Sequence, residues 1–261
     1  MVEPVHGPYV SGAPYPGAPE TYAEARAAGV DLRVPRWGLP DVAIALLVAL
    51  LVPAFVLGGL LAAGVPSHGT LVLLLSLSLP WLGFGLWPVL TTRLQGNGPR
   101  IDLGFSLRRI DLLWGIGGAI ASLVLGTIAG AITQHFFGDF DSAAGDALAS
   151  ADAPRWVVYV FALCAVVGAP VFEELCFRGL AFAALAKSLS RRGLPPVPWA
   201  TVGSALLFAL VHLEPVRIPV LLTIGLVLSW LRARTGRVGA SIVAHSLNNL
   251  WAVIGILFVT S

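Results

Sequence analysis

From Val42 to Thr92 the chain carries no aspartate, glutamate, lysine or arginine. No other feature restricts the fold as much, because inside lipid only helices and closed barrels satisfy every backbone N–H and C=O. Roughly 20 apolar residues cross the hydrocarbon core once as a helix. The run therefore holds two crossings, broken at Gly64-Val65-Pro66-Ser67-His68-Gly69. Over the whole chain 57% of residues are hydrophobic and 11% charged, against about 25% charged in a soluble domain. Too few charges remain to coat a water-facing surface, so the chain reads as an all-α, polytopic transmembrane bundle. The net charge of +2 is spread along the sequence, which excludes the clustered basic face that nucleic-acid binding requires. Cys164 and Cys176 share one apolar segment; on one helix they stand about 18 Å apart, out of reach of a disulfide.

Residues 1–38 are rich in proline and glycine and lack apolar periodicity. They read as a flexible tail, with at most a short helix near Tyr22–Ala28. Seven helices are expected after it, over 41–63, 70–92, 110–134, 155–186, 198–213, 216–233 and 238–259. The fifth and sixth are short for spans, and Pro215 and Pro219 interrupt their junction. One of them is a candidate for a re-entrant segment. Lysine and arginine concentrate in cytoplasmic loops. The basic residues fall before the first helix (Arg26, Arg33, Arg36) and in alternate loops thereafter (Arg93, Arg100, Arg108, Arg109; Lys187, Arg191, Arg192; Arg232, Arg234, Arg237). The loop between the third and fourth helices is acidic, with Asp139, Asp141, Asp146 and Asp152. That alternation predicts a multi-pass cell-membrane protein with its N-terminus cytoplasmic and its C-terminus extracytoplasmic.

Ionisable groups within spans are costly and mark function by default. Glu173, Glu174 and Arg178 lie in the fourth helix, His212 ends the fifth, and His245 and Asn249 lie in the seventh. Glu174 and Arg178 are spaced i and i+4, which allows them to pair; Glu173 is turned about 100° away. Pro170 lacks an N–H and frees a helical carbonyl, expected at Val166. Counted inward from the loop charges, the site residues lie at about 12–20 Å depth, within one slab of the bilayer. A carboxylate in a low-dielectric cavity suits activation of water, and amide or imidazole N–H groups suit stabilisation of an oxyanion. Such residues also mark ion paths, so a transporter is an alternative, as is a non-catalytic scaffold of the same fold. Taken singly, each histidine and Asn249 also serve as interhelical hydrogen-bonders.

At these residues the chain resembles the CAAX protease and bacteriocin-processing enzyme family, also described as type II CAAX prenyl endopeptidase-like or abortive-infection proteins. Glu173-Glu174-Leu175-Cys176-Phe177-Arg178 matches Glu-Glu-x-x-x-Arg, Phe208-Ala209-Leu210-Val211-His212 matches Phe-x-x-x-His, and His245-Ser246-Leu247-Asn248-Asn249 matches His-x-x-x-Asn. The resemblance covers about residues 110–259, so the chain is expected to divide into a tail (1–38), two transmembrane helices with a basic loop (39–109) and a peptidase core (110–261). It implies an intramembrane endopeptidase in which Glu173 with His212 activates water and His245 with Asn249 forms the oxyanion hole. Glu174 and Arg178 then support the site. A base and an oxyanion hole account for all four residues without a cofactor; if a divalent metal such as zinc is required, Glu173, His212 and His245 are its ligands. The implied partners are the lipid bilayer and a membrane-embedded or lipid-anchored peptide substrate.

Overall fold

The computed structural model describes residues 13–140, 142, 145–146 and 154–259, and among them all regular structure is helical. A short α1 (Glu20–Ala27) precedes α2 (Leu39–Ala62), α3 (Thr70–Gln95), α4 (Arg109–Phe137), α5 (Arg155–Arg191), α6 (Pro196–Val211), α7 (Pro215–Thr235) and α8 (Gly239–Val259). The long helices fall where the apolar runs place them, and local chemistry sets their ends. The N–H of Gly38 donates to Asp41 Oδ2 at 2.9 Å at the start of α2, and that of Arg108 donates to Asp111 Oδ2 at 2.8 Å at the start of α4. Each aspartate also sits favourably against the positive end of its helix dipole. Gly236, at φ 66°, ends α7 in the left-handed conformation open to glycine.

Among the described residues α2, α3, α4, α5 and α7 are long and apolar enough to cross a membrane. α7 reaches that length because it begins in a turn of 3-10 helix at Pro215. α6 has 16 residues and extends about 24 Å, less than the ~30 Å hydrocarbon core. The chain is a multi-pass membrane protein, and α6 is its short helix.

Packing is by small and polar residues inward and large apolar residues outward, as expected where lipid is as apolar as leucine. α4 buries Asp111, Gly115, Gly118, Ser122 and Gly126 and exposes Ile116, Ile120, Val124 and Ile128. A Cβ on Gly118 would stand 2.5 Å from Leu231, and one on Gly85 would stand 2.0 Å from the Phe172 ring, so neighbouring helices approach through glycine. The second half of α5 is the axis of the bundle. Its residues Glu174 to Ala184 are buried, in the largest core cluster together with Phe84, Phe208 and Leu221.

The expected flexible tail is corrected over residues 13–38, which pack on the body; residues 1–12 lie outside the described residues, as do Asp141 and Asp152 of the acidic loop. Tyr15, Tyr22 and Trp37 are buried. Asp102 collects the Tyr22 hydroxyl, the Trp37 indole N–H at 3.0 Å, and the backbone and side-chain N–H groups of Asn97 at 2.7 and 3.0 Å. Burial pushes the Tyr22 phenol far up from its ordinary range, so it remains a donor. Lys187 donates to the carbonyls of Pro35 and Trp37, and Glu20 pairs with Arg108 and Arg237. Arg237 is also held by Asp111, at 2.8 Å, and that hydrogen bond keeps its guanidinium even more firmly protonated than usual.

Candidate active site

Two stretches of π-helix interrupt α5, at Cys164–Gly168 and Leu175–Ala181. Such wide turns cluster at functional sites, and here they flank Glu173 and Glu174. Pro170 explains the first of them. It has no N–H to donate, and in the i→i−5 register the orphaned carbonyl is that of Ala165 rather than Val166. Asn249 of α8 fills the gap, its Nδ2 donating to Ala165 O at 2.8 Å. One hydrogen of that amide remains for other work.

The second π-helix carries Arg178. Its Nη1 donates to Glu174 Oε1 at 2.8 Å, and both side chains are fully buried. An ion pair this deep is retained only where further bonds satisfy it. Arg178 Nη2 donates to the carbonyl of Gly225 at 3.0 Å, and its guanidinium lies 4.5 Å from the centre of the Phe208 ring. Arg232 Nε in turn donates to the carbonyl of Arg178 at 3.1 Å. The same Glu174 Oε1 lies 2.9 Å from His245 Nδ1. With the carboxylate already paired to arginine, Nδ1 is the protonated nitrogen and donates to it. This leaves Nε2 facing Glu173 Oε2 at 3.9 Å, too long for a direct hydrogen bond.

His212 caps the C-terminus of α6, and its Nδ1 donates to the Phe208 carbonyl at 2.7 Å. Its Nε2 is thereby left as an acceptor. The next residue, Leu213, takes φ 57°, a conformation costing roughly 1–2 kcal/mol outside glycine, and so reverses the chain directly after the histidine. Phe208 packs edge-on to both imidazoles, with ring centres 4.7 Å from His212 and 5.7 Å from His245. One aromatic ring thus spaces the two.

Glu173, His212, His245 and Asn249 all line one cavity of about 490 Å³. The structure therefore gathers the four residues singled out in the sequence, while Glu174 and Arg178 lie behind them. It also differs from the expectation in pairing: His245 is the imidazole nearest Glu173, and His212 makes neither a hydrogen bond nor an ion pair with it. Among the described residues no three histidine, cysteine or acidic side chains converge to hold an ion.

Among the polar residues of the cavity that escaped the sequence reading, Asn248 and Ser122 stand out. Among the described residues, Asn248 has a buried amide with neither nitrogen nor oxygen hydrogen-bonded, and Ser122 Oγ is likewise unpaired. Glu173 Oε2 shares that condition. Glu173, Asn248 and Ser122 therefore turn hydrogen-bonding groups toward the cavity that other side chains of the described residues do not engage. The rule that flagged Asn249 as an intramembrane polar residue applies equally to Asn248.

Residues 154–251, which carry all of these motifs, match the family model described as type II CAAX prenyl endopeptidase Rce1-like. This segment is thus similar to the type II CAAX prenyl endopeptidase group of the CAAX protease and bacteriocin-processing family. A protein of Bacillus subtilis (strain 168) named "Putative membrane peptidase YdiL" is 28% identical over 158 residues, covering 60% of this chain. The chain spans 59% of that relative's length. No solved structure matches. The family match runs from the start of α5 into α8, while α3 and α4, which also line the cavity, lie outside it.

Proposed function

We infer that the protein is an intramembrane endopeptidase that hydrolyses a peptide bond of a membrane-associated protein or peptide. The observation that carries this reading is the buried Arg178–Glu174–His245 chain, which holds an imidazole opposite the unpaired carboxylate of Glu173 in a polar-walled cavity. Glu173 and His212 Nε2 face the cavity as acceptors, and together they orient a water through its two hydrogens. Glu173 takes one proton as the water oxygen attacks the carbonyl carbon. A small approach of the two side chains closes the 3.9 Å gap and passes that proton to His245 Nε2, giving an imidazolium held by Glu174. It then stabilises the oxyanion together with the free amide hydrogen of Asn249, and the proton finally passes to the leaving nitrogen. Asn248 and Ser122 supply donors and acceptors for the backbone of the substrate.

The reading needs no metal, because each step falls to a side chain lining the cavity. The N-terminus is cytoplasmic and the C-terminus extracytoplasmic, as the charge alternation of the loops supports. The test compares peptide termini in membranes of cells producing wild-type protein and Glu173→Gln at equal levels. New termini confined to wild type are expected and also identify substrates. Identical termini would favour a transporter or a non-catalytic scaffold.

A further inference from the structure

α4 and α7 run antiparallel, so the start of α4 and the end of α7 lie on the same side of the bundle. Near those ends an outward-facing groove of about 730 Å³ opens between them. Its walls are Ile110, Leu113, Gly117 and Ala121 of α4 and Val227 and Trp230 of α7, and it shares no lining residue with the catalytic cavity. Gly117 forms an open floor, since a Cβ there would meet nothing within 4 Å. From Ile110 to Ala121 the helical rise gives about 17 Å, roughly one leaflet of a ~30 Å hydrocarbon core.

Charge appears at one end only. Arg109 stands one turn before Leu113, and Arg234 stands one turn after Trp230. Both arginines are exposed and enter no ion pair among the described residues, whereas their neighbours Arg108 and Arg237 are matched by Glu20, Glu24 and Asp111. The Arg234 guanidinium lies 5.8 Å from the centre of the Trp114 ring, which meets Trp230 edge-on at 5.8 Å. Tryptophans favour the membrane–water interface, so this end lies at headgroup level and the apolar groove descends from it.

We propose that the α4–α7 groove is a binding site for an anionic phospholipid of the adjacent leaflet. The acyl chain lies along Leu113, Gly117 and Val227, and the phosphodiester accepts hydrogen bonds from Arg109 and Arg234. An apolar groove alone would accept any lipid or a neighbouring helix; the two unmatched guanidinium groups at its interfacial end select an anion. The site does not depend on the peptidase reading.

The purified full-length protein in detergent is incubated with equal amounts of dioleoyl phosphatidylglycerol and dioleoyl phosphatidylcholine, and bound lipid is counted by native mass spectrometry. Wild type is expected to retain phosphatidylglycerol over phosphatidylcholine by about tenfold. Arg109→Gln with Arg234→Gln should bring that ratio near unity while phosphatidylcholine binding persists. Gly117→Phe should lose both lipids. Leu113→Trp, changed at the exposed rim, is a second filling variant should the first not fold. An equal wild-type ratio, or full lipid retention by a folded filling variant, would overturn the proposal. So would a dimer that the filling variant abolishes without loss of lipid, which would assign the groove to a second copy of the chain.

Discussion

Glu174 binds Arg178 and His245 through one oxygen, and among the described residues no group pairs the other. Losing Arg178 strands a buried carboxylate, so Arg178→Met should lower the unfolding free energy by about 3–5 kcal/mol, read as a reduced midpoint in thermal unfolding. Glu174→Gln keeps the shape of the side chain and offers His245 an amide in place of a carboxylate. We expect a folded protein whose cleavage rate falls on the order of 10²-fold, which separates the orientation of His245 from the integrity of the fold. Asn248 should behave differently. Its amide has no partner among the described residues, so Asn248→Leu removes a buried polar group and should raise stability by about 1 kcal/mol while weakening substrate binding. A fall in stability with unchanged cleavage would contradict its assignment to the substrate. At this scale the sequence was informative wherever a charge stood in an apolar run, as with Glu173, Glu174 and Arg178. It did not reveal that His245 rather than His212 lies nearest Glu173, because that depends on how α6 and α8 rotate against α5.

Among the elements, α5 departs furthest from regularity. An apolar helix interrupted by two π-helices has the same composition as a straight one, and five or seven residues are too few to displace a periodicity. Only Pro170 pointed to the disturbance, and the i→i−4 rule then named the wrong carbonyl. The Asn249 bond to Ala165 substitutes for the donor that proline lacks. Restoring that donor with Pro170→Ala should make the Asn249 bond dispensable for stability. A double-mutant cycle with Asn249→Ala should thus show coupling of about 1 kcal/mol, and strict additivity would contradict the capping role. Close helix contacts were also hidden. Gly83 reads as one glycine among many, yet a Cβ there would stand 2.2 Å from the Ala45 carbonyl. The N-terminal segment was misread for a related reason. Tyr15, Tyr22 and Trp37 have no period, and each is seated by a partner that sequence does not place beside it, such as Asp102 for Tyr22 and Trp37.

At the scale of the molecule, helices buried along glycine and polar stripes expose a wholly apolar girdle, and the basic loops gather beside the packed N-terminal segment. Arg108 and Arg237 both engage Glu20, so the start of α4 and the end of α7 share one side with α1, in keeping with the charge alternation. Cysteines introduced at Ser67 and Ser190, after replacement of Cys164 and Cys176, should label from opposite sides of intact cells; labelling from the same side would overturn the topology. The fold class and the positions of the long helices were legible because lipid leaves the backbone so few choices. The number of true crossings was less so, since α6 has the hydropathy of a span without the length.

The central claim is that Glu173 activates water within this cavity. Purified wild-type protein and Glu173→Gln, placed in lipid vesicles with a membrane peptide identified from the comparison of termini, test it by mass spectrometry of the products. Wild type should cleave at one bond, with or without chelator, and the folded Glu173→Gln protein should cleave at least about 10²-fold more slowly. Equal cleavage by the two proteins, or no cleavage by either, would contradict it.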